Sequence, residues 1–314
     1  MKKDLSLSTL VSDAAMVNDY DPNAMSVEKA KTWINHFLHN IDQKESIHIK
    51  DALHRVLAKS VIATINVPNH DNSAMDGYAI NTEQLDEQGP FSLRVTGKLF
   101  AGNKLEGTTK EAVRIMTGAS ISKDMNAVIP QEYVEVNEDR ITFQTKPPAM
   151  QNIRRVGEDI MMGQTILQKG RRIEPCDLGL LASLGIGSIE VYRKVKVAFF
   201  STGDEIISLG TPLLPGQVYD SNRYSLIGLL QRMDLETFDL GVIVDDKKII
   251  EDTLKKASVF ADVIITTGGV SVGEADYMKD ILKKIGEILF WKISMKPGRP
   301  LAYGKIGSCH YFGL

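Results

Sequence analysis

From Val195 onward the chain alternates apolar β-type runs with helical runs, and this rhythm restricts the fold more than any other feature. "KVAFFST", "ETFDLGVIV" and "DVIITT" read as buried strands. "SNRYSLIGLLQRM", "DKKIIEDTLKKASVF" and "EADYMKDILKKI" follow them with helical spacing, Ile250, Leu254 and Ala257 marking one side of the second. Strands that alternate with helices are parallel neighbours joined by crossovers, so this part is expected to be a parallel α/β domain.

The earlier part has a different texture. Between Pro68 and Met150 the short runs "FSLRVTG", "AVRIMTG", "AVIPQEYVEV" and "RITFQT" are separated by Gly, Pro, Asn and Asp, which predicts a small β unit of a length suited to insertion into another domain. Ahead of it, Ser26 is an N-cap for a helix whose face is Val27, Ala30, Ile34, Phe37 and Ile41. A second short helix is expected over Asp51–Lys59, then a strand in "SVIATINVP". After the β unit comes a helix at "PCDLGLLASLG", with Pro175 in its first turn and Gly185 at its stop. Residues 1–25 lack periodicity and read as a loose leader.

With 314 residues the chain exceeds one ordinary core. Its net charge of −3 gives no global field toward nucleic acid, so any anion site has to be a local basic cluster. Cys176 and Cys309 have no metal-ligand spacing and fit a reducing compartment. No signal-peptide core and no stretch long enough to span a bilayer is visible, so a cytoplasmic protein is expected.

In a parallel α/β sheet, ligands bind outside the carboxyl ends of the strands. "KVAFF" is followed by Ser201, Thr202, Gly203, Asp204 and Glu205; "GVIV" by Asp245 and Asp246; "DVII" by "TTGGVSVGEAD". Polar turns are common at such places, and a plain turn explains any one of these loops better than it explains all three. In the last loop Gly268, Gly269 and Gly273 allow close backbone approach to a ligand, ahead of a helix N-terminus that favours anions. It is no P-loop, because Glu274 stands where that motif needs Lys.

A cation is available in "ILFWKISMKPGRP". A strand over 288–296 would put Ile288, Phe290, Lys292, Ser294 and Lys296 on one face, opposite Leu289, Trp291, Ile293 and Met295, with Arg299 after a Pro-Gly turn. A half-solvated strand with surface lysines would show the same spacing; the functional alternative is an oxyanion site, for which Arg has the best-shaped fork. "HDNSAMDGYA", "RIMTGA" and "RRVGEDI" are loop-like, each weak by itself.

Together, "DNSAMDGYA", "RIMTGA", "NIRRVGEDI", "FFSTGDE", "YDSN", "TTGGVSVGEADY" and "FWKISMKPGRP" resemble, nearly word for word and in order, the hallmark motifs of the MoeA family, whose module also forms the E domain of gephyrin. The resemblance runs from Ser26 to the last residue. It implies a multidomain α/β and β fold: a split α+β linker and dimerisation domain (26–67 and 152–192), an inserted small β domain (68–151) and a parallel α/β molybdopterin-binding domain (193–314). Family members continue past "YFGL" into a small C-terminal β domain, so a truncated chain or a fragment is expected.

The implied reaction is insertion of molybdate into adenylylated molybdopterin with release of AMP, dependent on Mg²⁺. Position by position, the resemblance implies catalytic roles for Asp76, Thr117, Asp159, Glu205, Asp245 and Asp276. Asp245 and Asp276 would hold Mg²⁺, and Thr202, Gly203, Asp204, Gly268, Gly269 and Ser271 would cradle the pterin phosphate. Lys292, Lys296 and Arg299, the last often Lys in the family, would grip oxyanions. Asp76 would act in the site of a partner subunit, which implies a homodimer; the adenylyltransferase that supplies the substrate is a further implied partner, and nucleic acid and membrane are not. The alternatives are an adenylyltransferase-like enzyme on the same α/β module, a scaffold protein, and an inactive pterin-binding remnant.

Overall fold

The structure is a computed structural model that describes residues 25–103, 111–268, 277–295 and 300–314. It divides into two compact units: Glu45–Val191, and Tyr192–Leu314 together with the residues up to Lys44.

The first helix, α1 (Val27–Phe37), starts as the sequence predicts, with the Ser26 hydroxyl accepting the Lys29 backbone N–H at 3.2 Å. Its packing differs from the expected layout. Ala30 and Phe37 are buried against Leu289, Phe290, Ile293 and Tyr303, and Met25 bridges to Ile293. The helix therefore belongs to the α/β unit and not to a split domain beginning at residue 26, because its apolar stripe has its core partners there. The second predicted helix is also different. Only the single turn Ile49–Asp51 forms, and Val56 and Leu57 are extended, bridging Arg172 and Val191.

The Glu45–Val191 unit contains a six-stranded sheet: β1 (Gly77–Ile80), β2 (Phe91–Leu99), β3 (Ala112–Ile115), β4 (Ala127–Pro130), β5 (Glu135–Asn137) and β6 (Arg140–Phe143), in the order β4-β1-β3-β2-β6-β5. β1 is buried on both faces. Tyr78 and Ile80 enter one apolar cluster and Ala79 the other, with Val113, Val128 and Ile153. A separate core joins Ala52 and Leu57 to Leu167, Ile173, Ile189, Val191 and Leu181 of α2 (Pro175–Ser183), so segments on either side of the sheet in sequence share one interior. At the head of α2, Asp177 is buried and takes two 2.9 Å bonds from Arg171.

The α/β unit carries β7 (Lys196–Thr202), α3 (Ser221–Arg232), β8 (Glu236–Ile243), α4 (Lys247–Phe260), β9 (Val263–Thr267), α5 (Tyr277–Ile285), β10 (Glu287–Lys292), β11 (Pro300–Ile306) and β12 (Cys309–Gly313). The sheet order is β8-β7-β9-β12-β11-β10; the first four are parallel and β11 is antiparallel to both neighbours. β7 is covered on both sides, which is why it reads as an unbroken apolar run. Ala198 and Phe200 pack under α4 and α5, while Val197 and Phe199 pack under Leu226 and Leu230 of α3. At the amino ends of the strands Asp262 accepts the Lys196 N–H at 2.8 Å and pairs with both terminal nitrogens of Arg193. Burial pushes the Cys309 thiol up to about 12, which leaves it inert as a nucleophile or ligand. Among the described residues no helix is long and apolar enough to cross a membrane.

Gly77 is the tightest point of the β sheet: a Cβ there would lie 2.1 Å from the Ile129 carbonyl oxygen. Gly77→Ala is expected to force β1 from β4 and to destabilise the protein by about 1–3 kcal/mol, read by chemical denaturation.

Candidate functional site

The three motifs of the Glu45–Val191 unit come together around Asn72 and Ser73. On one side Asn72 and Ser73 pair with Arg154 and Ile153. On the other, the Ser73 N–H donates to Ala119 O (3.0 Å) and the Gly118 N–H to Ser73 O (2.8 Å). Segments 71–79, 114–119 and 152–160 thus form one platform although dozens of residues separate them.

Asp76 is exposed on this platform and firmly held. The Thr117 hydroxyl and backbone N–H both donate to its Oδ1, at 2.7 and 2.8 Å. The side-chain bond first, then the backbone bond and the nearby Arg114 charge, hold the Asp76 carboxyl below the usual carboxylate range. Asp159 lies on the neighbouring segment, paired with Arg154, and its N–H donates to Val67 O at 3.0 Å. Asp76 and Thr117 are therefore in direct contact, whereas Asp159 is linked to them through the backbone of its segment, by pairings such as Asn72 with Arg154.

The other candidates sit on the α/β unit. Register carries the carboxyl ends of β8, β7, β9 and β12 to one edge: Ile243 pairs with Thr202, Ser201 with Thr267, and Thr266 with Gly313. Buried hydroxyls are bonded across these ends, Ser201 to Thr267 at 2.7 Å and Thr266 to Tyr311 at 2.7 Å. Thr267 belongs to the "TTGGVSVGEAD" strand end but has no role of its own there, and Tyr311 reads from the sequence as a plain core aromatic.

Beyond β7 the chain turns sharply. Gly203 has φ +146°, and the Glu205 carboxylate lies against it: a Cβ on Gly203 would sit 2.8–2.9 Å from both carboxylate oxygens. Gly268, with φ +85°, packs so close to β7 that a Cβ would lie 2.2 Å from Thr202 O. Its glycine is thus required by the fold itself, as well as suiting a ligand. Asp220 of "YDSN" is an anchor: it caps α3 through the Arg223 N–H (3.1 Å) and pairs with Arg223, which also grips Asp239.

Asp245 follows β8 and accepts a 3.4 Å bond from the Thr202 hydroxyl. Desolvation first, then the charges of Asp204 and Glu205, push its carboxyl above the usual range, against the pull of Thr202. The structure thus gathers Asp204, Glu205, Asp245 and Thr202 at one corner. Among the described residues no three His, Cys, Asp or Glu side chains stand close enough together to hold a metal ion. Gly269, Ser271, Asp276, Lys296 and Arg299 lie outside the described residues.

The lysine strand departs from the expected two-face pattern. β10 ends at Lys292, and its pairing with β11 is irregular between Ile288 and Phe290 and again between Phe290 and Lys292. Leu289 and Phe290 consequently enter the same cluster with α1, while Ile288 and Trp291 pack on the other side. The simple alternation that grouped Ile288, Phe290 and Lys292 fails because a bulge resets the period. Lys292 still reaches the carboxyl edge, paired with Pro300. It stands four strand positions from β7, about 19 Å at the usual inter-strand spacing.

Two families match this chain: the MoeA N-terminal region (domain I and II) over residues 25–185, and a probable molybdopterin binding domain over residues 199–314. The chain is 47% identical to the molybdopterin molybdenumtransferase of Haemophilus influenzae, over 87% of this chain and 68% of the relative. It is 34% identical to that of Nostoc sp., over 88% and 65%. It thus spans about two thirds of the length of these relatives. Among solved structures it resembles the molybdopterin biosynthesis moeA protein of Pyrococcus horikoshii, with TM-score 0.77 and 32% identity, over 93% of this chain and 74% of that one.

The two carboxylate sites yield opposite expectations. Thr117→Val removes the hydroxyl donor, so the Asp76 pKa should rise toward the ordinary value, read by carboxyl-carbon NMR titration. Asp245 has its pKa raised by the fold, so it is neutral at acid pH and costs stability once the pH climbs past its titration. Asp245→Asn should therefore melt on the order of 1 °C higher than the parent at pH 7, with the gap closing below the carboxylate range.

Proposed function

This chain belongs to the MoeA family, and we propose that it is a molybdopterin molybdenumtransferase: it binds adenylylated molybdopterin, cleaves the pyrophosphate bond with release of AMP, and has molybdate ligated by the dithiolene sulfurs. The observation that carries the reading is the edge formed by the ends of β7, β8 and β9. It presents hydroxyls and carboxylates at one end and Lys292 about 19 Å away along the same edge, a span suited to an elongated substrate with several anionic groups.

Glu205, fixed against Gly203, accepts a hydrogen bond from the attacking oxygen nucleophile and takes up its proton. Thr202 and Asp204 orient the phosphate and pterin, together with Gly268, Gly269 and Ser271. Lys292, Lys296 and Arg299 offset the charge of molybdate and phosphate oxygens. Asp245, crowded by Asp204 and Glu205, has the donor chemistry for a divalent cation, and with Asp276 it would hold Mg²⁺. Mg²⁺ is satisfied by one or two carboxylates plus substrate oxygens, so no cage of three side chains is needed. When bound, it would neutralise charge on the pyrophosphate oxygens.

Asp76, Thr117 and Asp159 complete the site of a second copy in a homodimer, for which residues 45–67 and 152–191 supply the framework around the inserted β domain at 68–151. The chain acts in the cytoplasm, downstream of a molybdopterin adenylyltransferase.

The test is AMP release from adenylylated molybdopterin with molybdate and Mg²⁺, run on this chain and on one extended at its C-terminus. Glu205→Gln, with an unchanged circular dichroism spectrum, should lower the rate by roughly 100-fold or more. Full activity in that variant would remove Glu205 from the mechanism. Tight substrate binding without AMP release by either chain would favour the pterin-binding remnant.

A further inference from the structure

Arg114 takes no direct part in the proposed reaction, yet it braces the backbone that follows Asp76. It lies opposite Tyr78 in the β1–β3 ladder, with its guanidinium over the Tyr78 ring at 4.9 Å. Tyr78 is itself buried in the β-sheet core, so the plane beneath the guanidinium is rigid. Arg114 Nη1 donates to Gly77 O at 2.9 Å, and Nη2 donates to the Gln131 side-chain oxygen. The Gln131 backbone N–H in turn donates to Asp76 O at 3.1 Å. The two peptide units that follow Asp76 are therefore both tied to one guanidinium, the one after Gly77 directly and the one between Asp76 and Gly77 through Gln131.

Asp76 is exposed, and an exposed carboxylate is normally free to swing. Here Thr117 holds the carboxylate, but Thr117 lies only three residues beyond Arg114 on the same strand end, so both clamps start from β3. A planar fork with several fixed donors serves this bracket; an ammonium would keep the charge and lose the geometry.

We propose that Arg114 is a positioning residue of the transferase reaction: acting through Gly77 and Gln131, it holds Asp76 in one orientation toward the substrate. The proposal rests on the assignment of Asp76 to the substrate site. It goes beyond that assignment in naming what fixes this carboxylate.

The test compares the parent with Arg114→Gln and Arg114→Lys, using NMR titration of Asp76 and the pH profile of AMP release. In folded Arg114→Gln the Asp76 titration should move upward and the acid limb of kcat/KM should move with it. The loss at neutral pH should be roughly 10-fold or more and fall mainly on kcat, as for other supporting partners of reacting groups. Arg114→Lys, the conservative variant and the one to use if Arg114→Gln does not fold, should keep the Asp76 titration near the parent value while recovering only part of the rate. An Asp76 titration and pH profile unmoved in a folded Arg114→Gln protein, or full recovery by Arg114→Lys, would overturn the proposal. The two readings fail separately: a parent that releases no AMP counts against the transferase assignment, while the NMR titration still reports on Arg114.

Discussion

The parallel pairing of β7 with its neighbours is the interaction on which the α/β unit depends. Parallel strands cannot be joined by hairpins, so each needs a helical crossover, and the crossovers bury β7 on both faces. The same pairing aligns the carboxyl ends, so Thr202, Ile243 and Thr267 share one edge. The amino ends are secured differently, by Asp262, which satisfies the Lys196 N–H while neutralised by Arg193. One end of the sheet is closed by a complete ion pair; the other carries polar groups packed closer than charge alone would favour.

Asp245 shows that tension most clearly. Burial first, then the charges of Asp204 and Glu205, raise its pKa, whereas that of Asp76 is lowered by donors placed to meet it. The first carboxylate is crowded by like charge; the second has its hydrogen-bond partners already in the protein. Such a division separates a group suited to metal and phosphate from a group suited to holding a fixed acceptor in position.

Part of the candidate site's layout was legible in the residues alone. The order of motifs placed Glu205, Asp245 and Gly268 after strands, and the structure puts them at the carboxyl edge. Gly268 was read as room for a ligand, and the contact it avoids turns out to be the Thr202 carbonyl, which no spacing rule reveals. Asp220 belongs to the "YDSN" motif, and the structure makes it a helix cap and ion-pair anchor. β10 misled a period-two reading because its bulges depend on the pairing with β11, a neighbour whose register is invisible locally. The short helix expected over residues 51–59 failed for a related reason: Val56 and Leu57 find better partners in Arg172 and Val191, more than a hundred residues away.

The sequence by itself determined what depends on neighbours along the chain: the βα rhythm after Val195, the Ser26 cap, the Pro175 start of α2, and the motifs that mark the family. Tertiary structure alone decided what depends on partners distant in sequence. It assigned α1 to the α/β unit, brought Asn72 between Arg154 and Ser120, and put Arg114 on Tyr78 beside Asp76. The physical reason is range. Caps and periodicities are set by hydrogen bonds within a few residues, whereas burial is set by whichever apolar or polar surface the folded chain presents, and a local pattern carries no record of that surface.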